Sequence, residues 1–196
     1  MLTLDPTAPL RNPAAALHTL TENAYKTARD KGWPSHAGDG IPVALLLIHD
    51  EISESEEAVS RSAYVGELAD VVVRCLDLAA CVDADLWYAA LTELLHGESP
   101  QQATPGLLAI LAPAPCSSAM LPSVRLHLHV SRLARLFRRT PEHTDEMPPT
   151  FFMELALLVR LAARTIMQSG EDPDTVILDV MHANTFRAAR HGGKRI

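Results

Sequence analysis

Apolar residues recur at helical spacing along almost the whole chain, and prolines and glycines cut that pattern into helix-sized lengths. The breaks predict helices near 12–31, 41–60, 63–82, 84–96, 117–139, 149–169 and 173–189, with a short helical turn at 105–112. No stretch alternates Val, Ile or Thr between hairpin turns, so strands are not expected. The fold class is therefore all-α, a helical bundle. The stretches 96–106, 112–118 and 140–149 are connectors, and "RHGGKRI" is too rich in glycine and basic residues to extend the last helix.

The first two connectors part the chain into halves, 1–100 and 117–196, which are free to pack as one domain. The halves resemble each other. "LLLIHDEIS" precedes "GELADVVVRCLDLAACVDAD", as "VRLHLHVSR" precedes "MELALLVRLAARTIMQSGEDPD". His49 aligns with His129, Glu67 with Glu154, Arg74 with Arg160 and Asp85 with Asp174. Two tandem, degenerate repeats account for this, as does the general likeness of Ala- and Leu-rich amphipathic helices.

Acidic residues interrupt the apolar pattern at particular places. On the helix over 41–60, Leu45, Ile48, Ile52 and Val59 form one apolar stripe, and Asp50, Ser53 and Glu57 lie opposite. Glu51 borders the apolar stripe, with Glu54 beside it at i+3. The next helix is apolar nearly all round, except for one narrow line of Glu67, Asp70, Arg74 and Asp77. That line is either a solvent window, with Asp70 and Arg74 as an i, i+4 ion pair, or a polar face turned toward Glu51 and Glu54. In the second arrangement four carboxylates converge, repel one another and raise one another's pKa. A hard divalent cation relieves that repulsion, and i, i+3 carboxylates about 5–6 Å apart at Cβ suit the oxygen ligands that Mg²⁺ or Mn²⁺ takes.

Composition narrows the function. Of 196 residues, 47% are hydrophobic and 5% aromatic, and the formal charge is −7, which disfavours a nucleic-acid binder built on phosphate contacts. Three cysteines, none in a CxxC pair, fit a reducing compartment better than a disulfide framework. The apolar runs are short of the roughly 18 residues of a membrane span. The N-terminal segment has an acid and prolines where a signal peptide has basic and apolar regions. A cytoplasmic protein is expected.

"EISE" followed by "ELAD", with a short link containing Arg61, resembles the ExxE…ExxD signature of the MazG-like, all-α nucleoside triphosphate pyrophosphohydrolases. "AYKTARDKGW" is similar to that family's lead-in helix, and "NTFRAARHGGK" to its C-terminal N-x-x-R…HGGK segment. The resemblance spans roughly 22–96 and 173–195. It implies a hydrolase that uses Mg²⁺, or Mn²⁺, to cut a nucleoside triphosphate between the α and β phosphates, giving a monophosphate and pyrophosphate. Glu51, Glu54, Glu67 and Asp70 are then the metal ligands, and Glu51 or Glu54 takes the proton of the attacking water. Asp50 is an auxiliary acid, although the helix turns it away from Glu51, and Arg74 is a second auxiliary residue. Asn184, Arg187 and Lys194 are assigned to the substrate. Val180 stands where family members often carry a lysine.

Relatives of this type work as dimers or higher oligomers, so the second half is expected to stand in for a partner in a single-chain pseudo-dimer, with self-association as the other arrangement. In the register of His49 with His129, Glu51 and Glu54 fall on Ser131 and Ala134, so the second half lacks the four-acid site. The basic strip Arg125, Arg132, Arg135, Arg138 and Arg139 is expected to be a solvated face that pairs with Glu56 and Glu57. His127 and His129 point to different faces, Trp33 is a core anchor, and Cys75 and Cys81 are small buried hydrophobes. The same features fit a protein that holds a nucleotide or cation without turnover, and a helical interaction protein.

Overall fold

The computed structural model describes residues 13–32, 40–96, 120–141 and 146–187. Within them lie α1 (Pro13–Asp30), α2 (Gly40–Glu57), α3 (Arg61–His96), α4 (Pro122–Arg139), α5 (Pro149–Gln168) and α6 (Pro173–Phe186). Over these described residues the protein is all-α, and none of their helices is long and apolar enough to cross a membrane. The short turn expected at 105–112, together with Trp33, Cys116 and Lys194, lies outside the described residues.

Local sequence explains most helix limits. Asp83 leaves the helical region (φ −167°, ψ 104°) and breaks α3 in two. Its Oδ1 accepts from the backbone N–H of Asp85 and of Leu86, the bonding of an N-cap for the second segment. The expected division into 63–82 and 84–96 falls at this residue. Pro122 sets the start of α4 later than the expected 117, and α2 ends at Glu57, three residues before the expected limit. That earlier end removes Val59 from the apolar stripe of α2: it stands fully exposed, whereas Leu45, Ile48 and Ile52 are buried. Gly170, with φ +83°, closes α5, and its N–H bonds to the Met167 carbonyl. A Cβ there would meet Arg61, which pairs with Glu171 at 3.3 Å and ties the start of α3 to the end of α5.

Four helices make the bundle. α2 packs on α3 and α4, and α5 packs on α3 and α4, so the hairpins α2–α3 and α4–α5 lie side by side. α1 and α6 both rest on α3. One hydrophobic core draws on both halves of the chain, from Leu17 and Leu20 through Trp87 to Phe151 and Ile177. α5 is buried on nearly every side between Phe151 and Ile166, as its all-round apolar sequence requires.

Burial repeats from one hairpin to the other. Ile48 and Ile52 of α2 are buried at i, i+4 spacing, as are Leu126 and Val130 of α4. Buried Leu68 and Val72 of α3 likewise match buried Leu155 and Val159 of α5. Where the hairpins meet, His49 and His127 stack with Nδ1 atoms 2.6 Å apart, at a sequence separation of 78. The residue that His49 touches across the α2–α4 contact is thus His127, not the expected repeat counterpart His129. His129 instead bonds to Glu154, so the two α4 histidines do diverge.

Candidate metal centre

α2 and α3 turn their carboxylates toward each other. Glu51, Glu54 and Glu67 each place one oxygen within 4.8 Å of the others'. They differ in exposure: Glu51 is buried, Glu67 half-buried and Glu54 exposed, so the cluster runs from the helix contact out to solvent. The sequence puts them there because Glu51 borders the face that buries Ile48 and Ile52, and Glu67 lies one residue before the buried Leu68. Among the described residues this is the group of acidic, histidine or cysteine side chains that converges closely enough for a metal ion.

The surroundings of Glu51 and Glu67 penalise charge. Burial, with the nearby Asp70 and Glu54, pushes the Glu51 carboxyl up to about 7, against the pull of Arg74, whose Nε donates to Glu51 Oε1 at 3.1 Å. Burial also raises Glu67, with Asp70 and Glu54 acting in the same direction. Glu51 and Glu67 resist ionisation, a cost that a hard dication offsets, and carboxylate oxygens are the donors that Mg²⁺ and Mn²⁺ take. The donor set fits such an ion.

Asp70, expected as the fourth ligand, stands outside this cluster. It is buried, close enough for its charge to act on Glu51 and Glu67, but its oxygens face the end of α6. Asn184 Nδ2 donates to Asp70 Oδ1 at 3.1 Å, and Arg187 Nη1 lies 3.8 Å from Oδ2. The expected substrate residues Asn184 and Arg187 are thus brought beside the acids across the α3–α6 contact. Asp50 is not brought in. It is exposed, and its charge acts on His49. Arg74 reaches across to α2 and Glu51, so the line of Glu67, Asp70, Arg74 and Asp77 faces other helices, with Asp70 and Asp77 buried.

Beyond Asp70 a cleft opens between α1, α3 and α6. Thr27, Lys31, Val73, Met181, Asn184 and Arg187 are among its walls, and about 50 Å³ is open to water, room for a few waters or a phosphate group. Asn184 Oδ1 is buried without a hydrogen-bond partner, which leaves an acceptor at this wall. Sequence reasoning missed Thr27 and Lys31. The available signal was a cation at the end of the amphipathic helix "AYKTARDKGW", which only the packing of α1 on α3 turns toward the acids.

The second hairpin is built differently. Glu154 Oε1 accepts from His129 Nδ1 at 2.8 Å and lies 3.4 Å from Arg132 Nη1. Burial alone would raise Glu154, but the His129 and Arg132 contacts outweigh it and hold the carboxyl below the usual range. Arg132 therefore pairs with Glu154; the expected partners Glu56 and Glu57 remain exposed.

No protein-family model, curated protein or solved structure matches the chain in comparison.

Proposed function

We propose that the chain is a metal-dependent nucleoside triphosphate pyrophosphohydrolase of the MazG-like type, a cytoplasmic single-chain pseudo-dimer that converts a (deoxy)nucleoside triphosphate and water to the monophosphate and pyrophosphate. The observation that carries this reading is the convergence of Glu51, Glu54 and Glu67 across the α2–α3 contact, with Glu51 buried. These three would hold Mg²⁺ or Mn²⁺, with Asp70 supporting the site's charge. When bound, the cation neutralises phosphate oxygens and activates water for attack on the α-phosphorus.

The chain's own groups supply the rest. Glu54, exposed at the mouth of the cluster, and Glu51, whose carboxyl titrates near neutrality, are the candidates for taking the water's proton. Arg187 and Lys31 line the adjoining cleft and suit phosphate oxygens, while the unpartnered Asn184 Oδ1 accepts from a sugar hydroxyl or base N–H. Arg74 holds Glu51 toward the cluster. Lys194 extends the substrate-binding set in this proposal.

The test is a panel of nucleoside and deoxynucleoside triphosphates assayed for pyrophosphate with and without Mg²⁺ or Mn²⁺. Release should require the cation, and Glu51→Gln or Glu67→Gln should lower it at least 100-fold. Asp70→Asn should also lower it, with a rise in KM because Asn184 and Arg187 lose their anchor. Nucleotide-dependent thermal stabilisation without pyrophosphate would replace this reading with that of a binding protein.

A further inference from the structure

The cluster on the second hairpin takes no part in the proposed reaction, yet it occupies a defined place relative to the first. His49 and His127 meet ring to ring at a separation of 78, the way a residue meets its own counterpart at a two-fold axis. The same shift carries buried Ile48 onto buried Leu126 and buried Ile52 onto buried Val130. On that register Glu51 falls on His129 and Glu54 on Arg132. Matching Leu68 with Leu155 in the other helix pair puts Glu67 on Glu154. Glu154 touches both His129 and Arg132, at the positions that correspond to the three converging acids of the first hairpin.

The charges differ in a consistent way. Three carboxylates with no cation between them repel. In the second hairpin one carboxylate, Glu154, meets two nitrogen donors from α4, His129 and Arg132, so its charge is met within the protein. The position of Asp70 is taken there by Leu157, which offers no further oxygen.

We infer that the His129–Arg132–Glu154 cluster is the internal counterpart of the acidic centre, closed by protein side chains standing where a divalent cation would lie, so that each chain keeps one cation centre. The inference rests on the metal reading of Glu51, Glu54 and Glu67. It makes the closed position recoverable: returning carboxylates to 129 and 132 opens a second cation site against Glu154.

The full-length chain and the double variant His129→Glu/Arg132→Glu are titrated with Mn²⁺ alone, and bound ion is counted from the loss of the free-Mn²⁺ resonance, with helical content followed by circular dichroism. The variant should bind twice as much Mn²⁺ per chain as wild type, and adding Glu154→Gln should return it to the wild-type value. Glu154→Gln in the wild-type background should leave Mn²⁺ binding unchanged, and this comparison carries the test if the double variant does not fold. A folded double variant that binds no more Mn²⁺ than wild type overturns the inference alone, as does a loss of binding in Glu154→Gln. A wild type that binds no Mn²⁺ overturns the hydrolase reading and this inference with it.

Discussion

Glu51 couples folding to pH. Its carboxyl has an ordinary value of 4.5 and is raised to about 7 in the folded protein, chiefly by burial. The folded chain therefore binds a proton there that the unfolded chain has released. The stability tied to Glu51 is complete below pH 4.5 and is lost as pH rises through 7, on the order of 3 kcal/mol across the interval. Glu51→Gln keeps an acceptor for Arg74 and removes the penalty. In metal-free buffer its melting temperature should exceed that of wild type at pH 8, and the gap should close toward pH 4.5. A gap independent of pH would contradict the assignment. The difference between the two proteins isolates Glu51 from the His49–His127 pair. Burial lowers both of those histidines, with the His127 charge adding to the effect on His49, so their contribution to stability falls away in the opposite direction, as pH drops below 6.5. A dication at the acidic cluster must displace the Glu51 proton, so stabilisation by Mg²⁺ should be larger at pH 8 than at pH 5.5 in thermal melts. In Glu51→Gln it should be much reduced.

At the scale of helices, a few side chains hold the site's walls in place. α1 is tied to α3 by Trp87 Nε1, which donates to Thr21 Oγ1 at 2.9 Å, while the Thr21 hydroxyl donates to the Leu17 carbonyl at 2.8 Å. Both side chains are fully buried. Thr21→Val preserves the shape but strands the indole N–H, and should cost about 1–3 kcal/mol in denaturant unfolding. Thr21→Ser should recover most of that. α6 begins at Asp172, whose Oδ2 accepts from the N–H and hydroxyl of Thr175. Asp172→Ala should cost about 1 kcal/mol and leave the core untouched. These limits were legible in the sequence because they depend on nearest neighbours: an aspartate before a proline-led helix, a glycine after one, an aspartate where an apolar helix breaks. The end of α2 was less legible. "EEAVS" continues the helical composition, but Val59 lies beyond the last turn and has nothing to pack on.

For the molecule as a whole, the bundle does what neither hairpin does alone. The acids come from α2 and α3, but the partners of Asp70 come from α6, more than 100 residues away in sequence. The cleft beside them needs α1. On the proposed hydrolase reading, Asn184→Ala should therefore weaken substrate binding more than turnover, seen as a KM rise of roughly tenfold, the factor set by about 1.4 kcal/mol from one lost hydrogen bond. A fall in kcat with unchanged KM would move Asn184 from substrate binding to a role in the chemical step.

The sequence by itself determined where the helices lie and which side of each is polar. It put Glu51 and Glu54 on one face, Glu67 and Asp70 on another, and Asp50 away from both, because helical period is a local property of spacing. Only the tertiary structure decided which of those faces meet and at what height. Periodicity fixes a direction around a helix axis but leaves the sliding of one helix along another to the interlocking of side chains. That is why His49 met His127, why Arg132 turned to Glu154, and why Asp70 was drawn to Asn184 and Arg187 while three glutamates closed on one another.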